Sequence, residues 1–167
     1  MLIRRELPAD APAIRAIHDA AFDGDPSIES RLVDDLRSAG DVIPQLSLVA
    51  ESGGEPVGHV VVSRAQLGDD DSLGLGPLGV LPAVQRQGVG SALMHAALAA
   101  ADALGFPEVV LLGSPTYYSR FGFRLSNEVG IAPPNPHWAA HFQVRTLSAW
   151  DDRRGGAFRY APAFPAV

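Results

Sequence analysis

Leu78-Gly79-Val80-Leu81-Pro82-Ala83-Val84-Gln85-Arg86-Gln87-Gly88-Val89-Gly90-Ser91-Ala92-Leu93 is the stretch that decides how this chain is read. A strand-like apolar run stops at Pro82, which cannot donate to a β-ladder. Gly88 and Gly90 then remove side chains where the backbone turns into a helix. Val89, Leu93, Ala96, Ala97, Ala100 and Leu104 fall on one face over residues 88–104, and Gly105 ends the helix. Such a start leaves backbone amides unpaired and carries roughly half a positive charge. Amides from 86 to 91, with the Arg86 guanidinium beside them, suit a pyrophosphate.

The pattern on either side predicts the rest of the fold. Residues 2–6 read as a first strand. Asp10 is a candidate cap for a helix carrying Ile14, Ile17 and Ala21. Ser27 is a candidate cap for a second helix, with Ile28, Leu32 and Leu36 at spacing four and Gly40 past its end. Residues 46–50 and 57–64 read as a hairpin closed at Ser52-Gly53-Gly54-Glu55. Residues 73–81 have strand character broken by Gly74, Gly76, Pro77 and Gly79, which predicts a bulge. Downstream come a short buried strand at 108–112, a short helix at 116–121, a proline-rich loop at 133–136 and a late strand at 141–147. The order predicts an α/β (α+β) fold with a central mixed, mostly antiparallel sheet of six to seven strands and helices on both faces. One domain over 1–167 is expected, with a core of about 1–150 and a tail over 151–167.

Composition narrows the function classes. The chain has 167 residues, 47% of them hydrophobic, with a formal net charge of -6 and no cysteine. A negative global field opposes nucleic acid and anionic membranes as partners. The lack of cysteine removes disulfides, thiolate metal sites and a cysteinyl acyl-enzyme. Met1-Leu2-Ile3-Arg4-Arg5-Glu6 is not followed by a signal-length apolar run, and no 18-residue apolar stretch occurs. The expected location is the cytoplasm.

Gln85-x-x-Gly88-x-Gly90 after Pro82 resembles the acetyl-CoA signature of the GNAT superfamily of N-acetyltransferases. Tyr117-Tyr118-Ser119-Arg120-Phe121-Gly122-Phe123 is similar to that family's Tyr-x-x-x-Gly-Phe element, with Tyr118 at the tyrosine position. Arg31-Leu32-Val33-Asp34-Asp35-Leu36-Arg37 and Phe158-Arg159-Tyr160-Ala161-Pro162-Ala163-Phe164 resemble a bacterial, YhbS-like branch. The resemblance implies a GNAT fold with a splayed fourth strand, and an enzyme moving acetyl from acetyl-CoA to a primary amine. It implies that Gln85, Arg86, Gln87, Gly88, Val89, Gly90 and Ser91 hold the cofactor pyrophosphate. Leu78 and Val80 would pair with the pantetheine arm, and Tyr118 would protonate the leaving sulfur. Ser114 stands where many relatives have asparagine. A homodimer is a further expectation, because related folds often dimerise. A competing class is an acyl-CoA-binding sensor or interaction module without turnover.

No carboxylate occupies residues 73–80, where many relatives keep a glutamate, so the general base has three candidates: Glu29, Glu51 and His59. Other strings are weaker. Gly74-Leu75-Gly76-Pro77-Leu78-Gly79 fits a dinucleotide pattern, but no helix opens after it. His137 and His141 have a metal-like spacing without the intervening glutamate. No metal is expected, and the two histidines are read as lining the acceptor pocket.

Overall fold

The computed structural model describes residues 1–165. Its elements run β1 (Leu2–Arg5), α1 (Ala11–Ala21), α2 (Ile28–Ala39), β2 (Val42–Ser52), β3 (Glu55–Leu67), β4 (Asp70–Val80), α3 (Val89–Ala103), β5 (Glu108–Leu112), α4 (Pro115–Tyr118), β6 (Arg124–Leu125), β7 (Ile131–Ala132), β8 (Phe142–Thr146) and β9 (Gly156–Tyr160). Seven strands follow the path β1-β2-β3-β4-β5-β8-β6, and β9 pairs with both β3 and β7. The path is antiparallel except at the β4–β5 step. Among the described residues no helix is long and apolar enough to cross a membrane.

Alternation along the strands divides the core into layers. Leu48, Ala50, Val60 and Val62 face Val89, Leu93, Met94 and Ala97 of α3. Val49 and Val61 point the other way, against Ile14 of α1 and Val33 and Leu36 of α2. A third cluster, with Val110, Ile131, Phe142 and Phe158, fills the region under β8 and β9.

The helix signals hold with two corrections. Ser27 caps α2 by accepting from the Ser30 amide at 3.0 Å, and Gly40 ends it at φ 76°. The buried face of α2 is Ser30, Val33 and Leu36, however, while Ile28 is 62% exposed. Asp10 does not cap α1 with its side chain. A 3-10 turn precedes α1, and the Asp10 carboxylate instead accepts from Leu7 N and pairs with Arg4 at 2.7 Å.

The predicted tail is part of the sheet. Ala65, Gln66 and Leu67 of β3 pair with Tyr160, Arg159 and Phe158. Arg154 pairs with the fully buried Glu108 at 2.9 Å, and Ser72 Oγ donates to that carboxylate at 2.6 Å. Phe158 and Tyr160 alternate with Arg159, a period-two signal that proline and glycine on either side obscured.

A buried polar chain joins α1 to the sheet. His18 Nε2 lies 2.9 Å from His59 Nδ1, and His59 Nε2 approaches Ser47 Oγ (3.0 Å) and Glu6 Oε2 (3.3 Å). Arg37 closes the chain on Glu6 at 2.7 Å. Burial, with His59 nearby, holds His18 down to about 3. Burial alone would raise Glu6, but hydrogen bonds from His59 and Ser47 and the Arg37 charge outweigh it and hold it at about 2.

Both shifts are depressions, so both contribute stability above the unfolded values and lose it as pH falls. Below roughly pH 6.5 the unfolded chain takes up a proton at His18 that the folded chain refuses until about 3. Acidification from about pH 7 to about pH 4 should therefore remove on the order of 3 kcal/mol through His18, with Glu6 adding to the loss below roughly pH 4.5. Denaturant midpoints across that range measure it; a midpoint that stays level would rule the account out.

Candidate active site

The site begins where two neighbouring strands part. β4 and β5 share a single paired position, Gly74 with Val110. Beyond it β4 bends away, because Gly76 and Pro77 together oppose the one residue Val61 of β3. This is the expected bulge, and Pro77, without an N–H, could not have continued the ladder. One edge of β4 is left without a strand partner, and the gap holds two adjoining cavities. Phe22, Leu78 and Tyr118 line both.

The first cavity, of about 550 Å³, lies at the N-terminus of α3. Gly88 is the N-cap, with φ 87°, a left-handed conformation that favours glycine, and no side chain caps the helix. The first amides of α3 thus lack the usual Ser/Thr/Asp partner and keep their positive end for a ligand. Gly90 lies under the Tyr117 hydroxyl: an added Cβ would sit 3.1 Å from it. Leu78, Val80, Gln85, Arg86, Gly88, Gly90 and Ser91, all named from the sequence, line this cavity together.

Two of the predicted cofactor residues do not. Val89 turns its side chain into the core against the sheet. Gln87 is exposed and donates to the Ala83 carbonyl at 3.3 Å. Gln85 reaches back to the Val80 carbonyl at 3.0 Å, so its amide ties the loop to the end of β4. Arg120 is a lining residue that the sequence reading missed. It stands over the Tyr117 ring at 4.6 Å and adds a second guanidinium beside Arg86. Its position inside the Tyr118-to-Gly122 element was the available signal.

Tyr118 forms the wall between the cavities. Its place depends on Gly113, where a Cβ would come within 2.4 Å of the Tyr118 ring. Tyr117 and Phe123 pack against it edge-on, at 4.9 Å and 5.9 Å between centroids. Burial, with Tyr117 adjacent, pushes the Tyr118 phenol up to about 12. It is therefore a protonated hydrogen-bond donor at any physiological pH.

The second cavity, of about 660 Å³, is walled mainly by apolar side chains of α2, β4, β5 and the C-terminal segment. Tyr160 packs on Gly74, and its ring stacks on Phe164 at 4.2 Å. Glu29, in the first turn of α2, is the one carboxylate among the described lining residues. Glu29 is also the single base candidate that reaches a cavity. Glu51 is engaged by Arg4 at 2.7 Å, and His59 is fully buried in the polar chain beneath the sheet; neither lines the gap. His137 and His141 line a separate recess with Ser114, so they do not face the large cavity as expected.

Known proteins share this architecture. Residues 44–125 match the acetyltransferase (GNAT) domain model. The chain is 36% identical over 159 residues to the uncharacterized N-acetyltransferase YhbS of Escherichia coli K12, spanning 93% of this chain and 92% of that protein. The crystal structure of E. coli YhbS in complex with CoA superposes with a TM-score of 0.90 at 34% identity, covering 97% of this chain and 90% of that one. A GNAT family acetyltransferase from Brucella melitensis in complex with acetyl-CoA gives a TM-score of 0.81 at 36% identity, covering 98% and 97%.

Proposed function

Because this chain belongs to the GNAT family of acetyltransferases, we propose that it transfers the acetyl group of acetyl-CoA directly to a primary amine. The observation that carries the reading is the forked sheet, whose two cavities meet at Leu78 and Tyr118. One cavity offers a helix N-terminus and two arginines, which suit a pyrophosphate. The other opens onto the same junction from the opposite side and takes the acceptor. No cysteine exists to carry the acyl group, which removes a cysteinyl acyl-enzyme, and two cavities that meet suit direct transfer between substrates bound together.

In this mechanism the acceptor ammonium first loses a proton to Glu29 or to water held there. The neutral amine attacks the thioester carbonyl carbon, and an amide of β4 near Val80 donates to the oxygen as charge develops on it. The C–S bond breaks as the C–N bond completes, and the nitrogen releases its second proton. Tyr118 donates a hydrogen bond to the departing sulfur. With the phenol raised to about 12, complete proton transfer to a thiolate is uphill. Tyr118 thus stabilises the leaving charge, and the proton that finally makes CoA-SH comes from the amine by way of solvent. Such an enzyme draws on the acetyl-CoA of the cytoplasm.

Thermal-shift titration with acetyl-CoA, with NAD as control, tests the cofactor half. At ~100 times its dissociation constant a ligand stabilises by ~2.7 kcal/mol, several degrees for a domain of this size. Acetyl-CoA alone should produce the shift. An amine screen that follows CoA release tests the transfer half. No shift at millimolar acetyl-CoA would sink the proposal; a shift without release on any amine would leave a cofactor-binding module.

A further inference from the structure

The larger cavity has a chemistry of its own, and its role as the acceptor site rests on the acetyl-transfer reading. Leu32, Leu75, Leu111, Trp138, Tyr160 and Phe164 supply most of its wall. Its volume of about 660 Å³ is within the range that buries a whole small organic molecule. Against this wall stand two formal charges. Glu29 has no ion-pair partner among the described residues. Arg159, the one cation of the described lining, is exposed; its Nη2 donates to Gln66 Oε1 (2.7 Å) and the Gly68 carbonyl (3.0 Å), both neutral.

We propose that the acceptor is a monocationic hydrophobic amine, an arylalkyl- or alkylamine, with its body against the Trp138–Tyr160–Phe164 wall and its ammonium at Glu29. One unpaired carboxylate matches one positive charge. An α-amino acid would bring a second carboxylate against the apolar wall, and the one cation of the described lining, Arg159, is exposed to solvent, where an ion pair offsets little of that desolvation. A polyamine or an aminoglycoside would bring further cations, for which the described lining has no second carboxylate. A monocationic hydrophobic amine loses water on its apolar body and keeps its one charge paired, the combination this cavity rewards.

Calorimetric titration of the full-length protein, with and without CoA, distinguishes these ligands without needing turnover. The probes are tryptamine, 2-phenylethylamine and hexylamine, set against tryptophan and spermidine. At least one of the three amines should bind about tenfold or more tighter than tryptophan and spermidine. Glu29→Gln and Trp138→Ala should each weaken that amine by about tenfold, with acetyl-CoA binding retained. Tryptophan or spermidine matching the best amine, or no amine binding at millimolar concentration, overturns the inference. Amine binding insensitive to both substitutions also overturns it. If amines bind as expected but CoA is never released, the transfer reading fails while the cavity's ligand class stands.

Discussion

Tyr118→Phe should lower kcat for acetyl transfer by about 100-fold and leave the acetyl-CoA dissociation constant within about twofold. Tyr118 lines both cavities, and its hydroxyl makes no hydrogen bond to protein among the described residues. Removing it leaves no buried partner unsatisfied, so the fold should be unaffected. The ring also stays, with its packing on Tyr117 and Phe123. What disappears is a donor aimed at charge that exists only as the C–S bond breaks, and such a loss lowers kcat without weakening ground-state binding. The pH profile adds a second reading. With Tyr118 raised to about 12, wild-type activity should show no tyrosine-linked decline below roughly pH 10. Rapid-quench kinetics on both proteins would decide it; equal rates would mean that the sulfur leaves without help from Tyr118.

Gly90→Val should raise the acetyl-CoA dissociation constant by about 100-fold while the protein remains folded. The substitution places branched carbon over the amides that open into the first cavity, close to Val80 and the Tyr117 hydroxyl. The nearest obstacle is the end of a side chain that can swing aside, and Gly90 has no positive φ, so the helix itself accepts valine. Gly88→Val would be a poorer test, since φ 87° there strains the loop whatever the space. Equilibrium binding by calorimetry, with a melting curve for the folded state, separates the two effects. Unchanged affinity would mean that the phosphates are not held at this helix end.

Much of the fold was legible because periodicity reports burial. The α3 helix, the β2–β3 hairpin and β5 each have one regular pattern, and all three lie where the pattern predicts. Within α3 the buried face is wider than the sequence stripe: Met94, Leu98 and Ala101 are buried, whereas Leu104 is 45% exposed. A helix packed broadly against a sheet buries more than a single row. The short strands β6 and β7 have two residues each, too few for a period to register.

The site was legible to a different degree on its two sides. Most of the first cavity's wall comes from the segment between Leu78 and Ser91, whose glycine spacing reveals it, while Phe22, Tyr117, Tyr118 and Arg120 join it from elsewhere in the chain. The larger cavity collects side chains from α2, β4, β5 and residues 159–165, which sequence separates by more than a hundred positions. No local motif marks such an assembly. The general-base candidates illustrate the limit. Glu29, Glu51 and His59 are alike in the sequence, and only tertiary contacts assign Glu51 to Arg4 and His59 to a buried chain.

Tyr160 sits at the crotch of the fork, its ring lying where any side chain on Gly74 would have to go. The Tyr160 ring, backed by the Phe164 ring at 4.2 Å, covers the face of the sheet at the last position β4 and β5 share, and both rings line the larger cavity. Smaller side chains at 160 and 164 would enlarge that cavity without touching the helix end opened by Gly88 and Gly90, so its size can change while the first cavity stays as it is.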